Sequence, residues 1–357
     1  MPLIEKSYKK DTLTMSWSVG PEYDGLRFDQ FLGKHFRTLS REEIKKKIQQ
    51  RECQILNRLD SKKPASKIKN GDVIKVIISR SKSEDEYWRG EKIKFSSPEE
   101  VYEDEEIIII NKPPYMSTHP TGRHLFHCAT VHYEQKLSVK TVHSIHRLDR
   151  ETSGLLVLSK NPTIASTLTN EFENSNVQKA YFWIAKKKAP IKNNVFSAFE
   201  RMDNPQRGLK KVFVNHYPKE SNRGKYAHTD FVIVAEEKDF CVGLAFPKTG
   251  RTHQIRVHAM ANLIPLVGDK LYLGGYRMFQ RFKDAVATTE DYDSMILSRH
   301  ALHAVSLQIK YKDRQLTFFA PLPDDLKKFI EDHFNRKVDD IERAAKEVIN
   351  QKFKMQS

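Results

Sequence analysis

Cysteine is scarce in this chain, and long apolar runs are missing. The three cysteines, Cys53, Cys128 and Cys241, are far apart and lack a Cys-x-x-Cys spacing. This pattern excludes a disulfide framework and argues against a zinc site, so a reducing compartment is expected. No stretch approaches the roughly 20 apolar residues of a membrane helix, and the first residues contain no apolar signal core. We therefore expect a soluble, cytoplasmic protein with no membrane partner.

Acidic residues are also in deficit. Lys and Arg outnumber Asp and Glu by 61 to 46, which gives a formal net charge of +15. Residues 24–80 alone carry 15 Lys or Arg against 7 Asp or Glu. A charge so concentrated predicts a polyanionic partner, with nucleic acid as the leading class. A P-loop, a dinucleotide fingerprint and a fixed-period repeat are absent from the sequence.

The basic segment 24–80 has the pattern of a small α/β module. Apolar residues at helical spacing predict a helix over 28–36, and Ser40 with Glu43 forms a capping box for a second helix ending near Gln50. Strands are predicted at 14–19, 53–56 and 72–78, and residues 1–23 are assigned to an N-terminal strand or extension.

A polar linker over 81–100 separates this module from a larger domain over 101–322. Short apolar runs dominate that domain, which predicts an α+β fold with a large mixed, mainly antiparallel sheet. Residues 323–357 show apolar positions every three or four residues, which predicts an amphipathic helix or helix pair packed on the protein's own body. The predicted strands are 107–110, 155–158, 180–185, 212–214, 229–234, 240–245, 302–309 and 315–319, with helices at 163–173 and 252–263.

Asp149 is the first residue that suggests chemistry. It follows Arg147, precedes Arg150 and lies only a few residues before the buried strand at 155–158. A carboxylate near a buried strand is costly unless it is paired or used. The flanking arginines favour its ionised form, which suits a nucleophile, a base or a charge stabiliser. A structural Arg–Asp ion pair explains the charge pattern equally simply, and on that pattern alone we favour it.

Two further segments contribute possible site residues. Arg251 lies at the predicted start of the helix over 252–263, a position suited to anions, so it could pair with Asp149 or with a phosphate. Tyr181 shares a strand face with Lys179 and suits stacking on a base, although a half-buried core tyrosine is as good an interpretation. His253 and His258 are five residues apart, which argues against a metal site.

Together these segments closely resemble the RluA-type pseudouridine synthases, and residues 24–80 resemble the alpha-L RNA-binding module. The module departs from its family pattern where a Gly is usual after the second helix, because Arg51 and Glu52 stand there. The main matching segments are Asn111–Pro114, His146–Asp149 with Thr152–Gly154, Tyr181, Thr249–Arg256, Gly268–Asp269 and Leu302–Ala304, and, in the module, 27–32, 40–41 and 67–74.

The resemblance implies isomerisation of uridine in RNA without a metal or another cofactor. Asp149 would be the essential carboxylate, acting as a nucleophile or by removing a ribose proton. Tyr181 would stack on the target base, Arg251 would pair with the aspartate, and Arg147 would fill the gap left by the flipped uridine. Arg27, Arg41, Lys45 and Lys46 are the expected RNA-binding residues of the module.

The sequence leaves alternatives open for the RNA substrate and for the class of function. Large-subunit ribosomal RNA is the favoured substrate, with transfer RNA as the alternative. A noncatalytic RNA-binding or ribosome-assembly factor and a glycoside-cleaving hydrolase are the rival functions. We expect a monomer.

Overall fold

The computed structural model describes residues 3–9, 11–36, 40–58, 63–80, 84–121, 124–204 and 212–355. Its contacts divide the chain into two units, one comprising Met1–Asp85 with His119–Val142 and the other Glu86–Thr118 with His143–Ser357. The sequence-based boundaries instead kept 119–142 in the larger domain. Within the first unit, Lys6 Nζ lies 2.8 Å from Glu134 Oε2, and the Tyr8 and Phe126 rings lie 5.9 Å apart. Such contacts join distant parts of the chain and leave no local sign in the sequence.

The first unit contains a four-stranded antiparallel sheet in the order β1-β2-β4-β3. The predicted helices over 28–36 and 40–50 are confirmed, and Phe28, Phe31, Leu32, Ile44 and Ile48 bury their side chains in one core. The elements are β1 Leu3–Lys9, β2 Thr12–Ser18, a 3-10 turn Pro21–Tyr23, α1 Phe28–His35, α2 Arg41–Gln49, β3 Cys53–Ile55, β4 Val73–Ser79 and α3 Ala129–Lys136.

Both ends of α2 follow from local sequence. Ser40 Oγ accepts a hydrogen bond from Glu43 N at 3.2 Å, and Glu43 Oε2 accepts one from Ser40 N at 2.7 Å, so the predicted capping box is present. After the helix, Arg51 adopts φ +61°, a left-handed conformation that glycine occupies without strain. The family pattern places Gly in this region, so the chain makes the same turn with a less suitable residue.

The second unit is built on a ten-stranded sheet. Its main order is β12-β15-β16-β11-β17-β10-β8-β7, with β18 paired to β17 and β9 to β10, and the pairing of β10 with β17 is parallel while the others are antiparallel. The strands of the second unit are β5 Tyr87–Trp88, β6 Glu91–Lys92, β7 Glu99–Glu103, β8 Ile107–Lys112, β9 His143–Ser144, β10 Ser153–Ser159, β11 Gln178–Lys186, β12 Val195–Ala198, β13 Arg201–Asp203, β14 Asn215–Tyr217, β15 Thr229–Glu236, β16 Phe240–Pro247, β17 Leu302–Tyr311 and β18 Arg314–Phe319. Of these, β5 with β6 and β13 with β14 form two separate two-stranded sheets.

Helices lie beside this sheet and at the end of the chain. The terminal helix pair packs on the protein's own body, because Leu326, Phe329, Ile341 and Phe353 join the core formed with the sheet residue Phe182. The helices are α4 Pro162–Glu173, α5 Gln254–Ala261, α6 Gly275–Lys283, α7 Thr289–Met295, α8 Asp324–His333 and α9 Val338–Lys354.

Three local features of the second unit and of the residues before it were not among the predicted elements. Residues 81–83 of the expected linker lie outside the described residues, and the rest of 84–100 includes the β5–β6 hairpin and the start of β7. The strand expected at 212–214 is displaced, since Asn215–Tyr217 pairs with Arg201–Asp203 instead. Residues 275–295 contain α6 and α7.

Across the described residues, no helix is long and apolar enough to cross a membrane.

Candidate active site

Asp149 lies in a cavity of about 150 Å³ in the second unit. The cavity wall combines four parts of the chain: the loop before β10, the beginning of β11, the segment from the end of β16 to the first turn of α5, and the first residue of β17. Arg147, Tyr181 and Arg251 line the same cavity. The residues that the sequence analysis selected for catalysis and substrate binding are therefore brought together.

The loop that carries Asp149 is fixed by polar contacts with the segment after β8. Leu148 N donates to Thr118 Oγ1 at 3.2 Å, and the Thr118 hydroxyl donates back to the Leu148 carbonyl at 3.2 Å. The fully buried Lys112 donates from Nζ to the carbonyls of Met116 and Arg150 at 2.9 and 3.3 Å. The loop backbone is therefore held on both sides of Asp149.

Gly154 fixes the other end of this loop. Its φ is +105°, and a Cβ at this position would meet the backbone oxygen of Ala304 on β17 at 2.3 Å. Glycine is required here both for its conformation and for the close approach of the two parallel strands. Gly154 thus lets β10 pack closely against β17 directly after the loop that carries Asp149.

The Asp149 carboxylate is paired with Arg256, which also binds a second carboxylate. Arg256 Nη1 donates to Asp149 Oδ2 at 2.9 Å, while its Nε and Nη2 donate to the two oxygens of Asp269 at 2.7 and 2.9 Å. The side chains of Asp149, Arg256 and Asp269 are 25%, 9% and 0% exposed. Within the described part of the chain, no protein donor reaches Asp149 Oδ1. That oxygen is available to a substrate.

The environment keeps Asp149 ionised. Burial raises the pKa of this carboxyl group, but the nearby positive charges and the Arg256 hydrogen bond outweigh burial and leave the pKa below its ordinary value. His253 Nε2 lies 3.9 Å from Asp149 Oδ2, and burial lowers the pKa of His253 to about 4. The imidazole is therefore neutral near pH 7, which leaves Arg256 as the permanent cation beside the carboxylate.

His253 shapes the turn that precedes α5. Its backbone is left-handed, with φ +56°, and its Nδ1 lies 2.9 Å from the Tyr272 hydroxyl. Gln254 Oε1 accepts hydrogen bonds from Arg251 N at 3.0 Å and from Thr249 Oγ1 at 2.6 Å. This turn directs the start of α5, and with it Arg256, towards the Asp149 loop.

The predicted ion pair between Arg251 and Asp149 is wrong. Arg251 lies at the cavity wall, but its Nε donates to the Tyr226 carbonyl at 3.0 Å, and Arg256 takes the place beside Asp149. The helix starts at Gln254, two residues later than predicted, so the arginine on its first turn is Arg256. Arg251 itself is exposed.

Tyr181 and Arg147 lie on the cavity wall in different environments. Tyr181 is half-buried near the start of β11, and burial, followed by the negative charge of Asp149, raises the pKa of its hydroxyl. It is therefore neutral at physiological pH, with a ring able to present an apolar face. The Arg147 side chain is exposed, although the residue next to it, Leu148, is buried.

The expected RNA-binding residues of the first unit are not equivalent. Arg41, Lys45 and Lys46 are exposed on α2. Arg27 instead forms a two-bond ion pair with Asp29, through Nε at 3.0 Å and Nη2 at 2.7 Å. Its guanidinium is partly committed to this contact.

In the residues that the structure describes, no group of three or more His, Cys, Asp or Glu could hold a metal ion.

Sequence reasoning gave no role to Arg256 or Asp269, although both belong to the matching segments. Their pairing depends on the direction of α5 and on the buried turn that places Asp269, whose Oδ1 also accepts from Leu271 N and Tyr272 N. The helical position of Arg256 was the available signal, since it is the only arginine or lysine of α5 and lies on its first turn.

Comparison with known proteins finds relatives that match most of this chain. A family model described as RNA pseudouridylate synthase matches residues 106–261. The ribosomal large subunit pseudouridine synthase D of Yersinia pestis is 30% identical over 325 residues, covering 88% of this chain and 93% of that protein. The protein of the same name from Vibrio vulnificus is 30% identical over 318 residues, covering 85% and 89%.

A solved structure supports the predicted fold class. The human RNA pseudouridylate synthase domain containing 4 matches with a TM-score of 0.51 and 20% identity, covering 65% of this chain and 92% of that chain. This likeness confirms the α+β fold with its large, mainly antiparallel sheet. The relatives at 30% identity over most of their length, together with the family model, show that this chain belongs to the RluA-type family of RNA pseudouridine synthases.

Proposed function

We propose that this enzyme converts uridine to pseudouridine in large-subunit ribosomal RNA, with Asp149 as the essential carboxylate. The observation that carries the proposal is the Asp149–Arg256 pair in a cavity bordered by Tyr181. The relatives named for the ribosomal large subunit support the choice of RNA. The concentrated positive charge of residues 24–80 supports binding to an RNA backbone.

Asp149 has the properties that both possible mechanisms require. A nucleophile that attacks the sugar or base and a base that removes a ribose proton must each be ionised, and the lowered pKa of Asp149 meets this condition. Arg256 holds Oδ2, so Oδ1 is the oxygen proposed to meet the nucleotide. The pair therefore positions one oxygen of Asp149 while the carboxylate stays ionised.

The cavity wall supplies the remaining proposed roles. A nucleotide inside folded RNA must leave its stack before an enzyme can act on it. Tyr181 is proposed to stack on the flipped uracil, and the exposed Arg147 to fill the vacancy in the RNA with its planar guanidinium. Arg251, which is also exposed, is proposed to contact the RNA rather than the aspartate.

RNA binding is proposed to extend to the first unit. Arg41, Lys45 and Lys46 on α2 can approach phosphates without breaking an intramolecular ion pair, whereas Arg27 would have to share its guanidinium with Asp29. We therefore rank the three α2 residues above Arg27 as phosphate contacts. The reaction transfers no electron and needs no group donor, so the proposal includes no cofactor.

The activity is tested with RNA that carries tritium at carbon 5 of uracil. Isomerisation releases the label into water, so the wild-type protein should release it and Asp149→Asn should not, while RNA binding is retained. Asp313→Asn is a suitable control, because the Asp313 side chain is 99% exposed. Binding without release would indicate a noncatalytic factor, and free uracil would indicate hydrolysis. An active Asp149→Asn protein would contradict the proposed role.

The substrate is tested by mapping pseudouridine in RNA from cells with and without the gene. Loss of a site in large-subunit ribosomal RNA is the expected result, and loss confined to transfer RNA would overturn the proposed substrate.

A monomer acting in the cytoplasm remains part of the proposal. Sedimentation of the purified protein at several concentrations tests the oligomeric state.

A further inference from the structure

Lys179 is a cation inside the catalytic cavity that has no anionic partner among the described residues. It lies on β11 two positions before Tyr181, and both residues line the cavity with Asp149. Its ammonium lies 5.6 Å from the ring centre of Phe172 on α4, a cation–π contact. The side chain is thus held at the cavity wall by an aromatic ring and not by a carboxylate.

Lys248, just beyond β16, is the cation whose charge acts on Lys179. Lys248 Nζ lies 4.0 Å from Asp230 Oδ2, so its charge has a carboxylate close by. Burial, and then repulsion from Lys248, lower the pKa of Lys179 to about 8. A partly buried ammonium without a counter-ion is unfavourable in the free protein. The arrangement becomes favourable when a ligand brings a negative charge into the cavity.

We propose that Lys179 binds a phosphate that flanks the target uridine and so positions the nucleotide between Tyr181 and Asp149. The inference rests on the proposed function, because it takes an RNA nucleotide as the occupant of the cavity. The two-residue repeat of a strand places Lys179 and Tyr181 on one side of β11, roughly 7 Å apart along the strand. One residue can then hold the backbone of the nucleotide while the other contacts its base.

Several charged or titratable groups face Lys179 or act through its neighbours. His146 is kept neutral near pH 7, since burial lowers its pKa to about 3. Asp149 is already engaged by Arg256, and Lys248 by Asp230. Among the described residues, the charged or titratable groups that act on Lys179 or its neighbours, or that line the cavity with it, are His146, Lys248 with Asp230 and Lys352, and Arg147, Asp149, Tyr181, Arg251, His253 and Arg256.

The first test compares the affinity of charge variants for a ribosomal RNA fragment that the wild-type enzyme modifies. Lys179→Gln should weaken binding by about 10-fold or more, the range for a charge-assisted hydrogen bond to phosphate. Lys179→Arg should bind within about 3-fold of wild type, because a guanidinium also binds phosphate. Lys188→Gln is the matched control, since Lys188 is exposed beyond the end of the same strand.

A second arm removes the charge from the RNA. One flanking phosphate at a time is replaced by a neutral methylphosphonate, with matched 2′-O-methyl control RNAs that retain the phosphate. At one of the two positions, wild-type binding should weaken by the same factor as Lys179→Gln binding to normal RNA. Lys179→Gln should lose nothing further there. If Lys179→Gln lost further affinity at both methylphosphonate positions, the assignment would be overturned.

The pH dependence supplies a third readout. Wild-type affinity should decline as pH rises above about 8, where Lys179 loses its proton, and Lys179→Arg should remain flat in that range. A Lys179→Gln protein that binds normally but has a slower single-turnover release of tritium would indicate a proton-transfer role and overturn the phosphate assignment. No tritium release by the wild-type protein would instead contradict the proposed function, so the two failures are distinguishable.

Discussion

Asp149 and Asp269 share Arg256, but they should contribute very differently to stability. Asp269 is fully buried, receives two hydrogen bonds from Arg256 and receives two more from backbone amides. Asp149 is 25% exposed and receives one hydrogen bond from Arg256. Removing one partner of a buried ion pair costs about 3–5 kcal/mol because the other charge stays buried. The perturbations to compare are therefore Asp269→Asn and Asp149→Asn.

We expect Asp269→Asn to lower the free energy of unfolding by about 3–5 kcal/mol, a large part of the roughly 5–15 kcal/mol typical of a folded domain. Asp149→Asn should lower it by less, about 1–2 kcal/mol. In that variant Arg256 keeps both hydrogen bonds to Asp269, and the removed burial penalty of the Asp149 charge offsets part of the lost attraction. The proposed catalytic carboxylate would thus contribute less to folding than Asp269.

Urea unfolding followed by tryptophan fluorescence can measure this difference. The chain has three tryptophans, and Trp88 and Trp183 belong to the second unit while Trp17 belongs to the first. A Trp17→Phe background therefore reports on the unit that contains the active site. Equal losses of stability for the two aspartate variants would refute the reasoning. So would a stable Asp269→Asn protein with full tritium release, because Arg256 would then not depend on Asp269.

Three further predictions concern backbone conformation and pH. Gly154→Ala should lower the unfolding free energy of the second unit by about 2–5 kcal/mol, because alanine disfavours this φ and its Cβ would clash with β17. Gly250→Ala is the control, since a Cβ there meets nothing within 4 Å and should have little effect on unfolding. Arg51→Gly should stabilise the first unit by up to about 1 kcal/mol, measured by Trp17 fluorescence, and a loss of stability would contradict the strain assigned to that turn. Unfolding free energy should fall as pH decreases from about 6.5 towards 4, because three partly or fully buried histidines have folded pKa values of about 3 to 4 and the unfolded chain binds more protons there. A flat profile from urea titrations would contradict this. These histidines are His146, His253 and His303.

Features set by neighbouring residues could be predicted from the sequence. The capping box of Ser40 and Glu43 defines the start of α2 because its two hydrogen bonds join residues three positions apart. The apolar run 155–158 identifies a central strand because burial on both faces demands continuous apolar side chains. The position of Asp149 just before that strand follows from the same local pattern. The predicted fold class is confirmed, and it could be predicted because it depends on such local patterns.

Features set by distant residues could not be predicted in the same way. The expected Arg251 contact failed because a left-handed turn at His253 delays the helix to Gln254 and directs Arg256 to the aspartate. The turn depends on the Tyr272 hydroxyl, which is 19 residues away in sequence. The assignment of 119–142 to the first unit likewise depends on the ion pair between Lys6 and Glu134. A single sequence contains the partners but not their pairing.

The corrected ion pair changes how the charges of the site divide between folding and substrate binding. Arg256 lies between two carboxylates, so its charge is more than balanced within the protein. Arg147 and Arg251 are exposed at the same cavity, and Lys179 faces it without a described anionic partner. Had Arg251 been the partner of Asp149, one fewer cation would face the RNA. The geometry instead assigns one arginine to the aspartates and leaves three cations at the cavity, a charge distribution that suits the proposed binding of a flipped nucleotide with its phosphates.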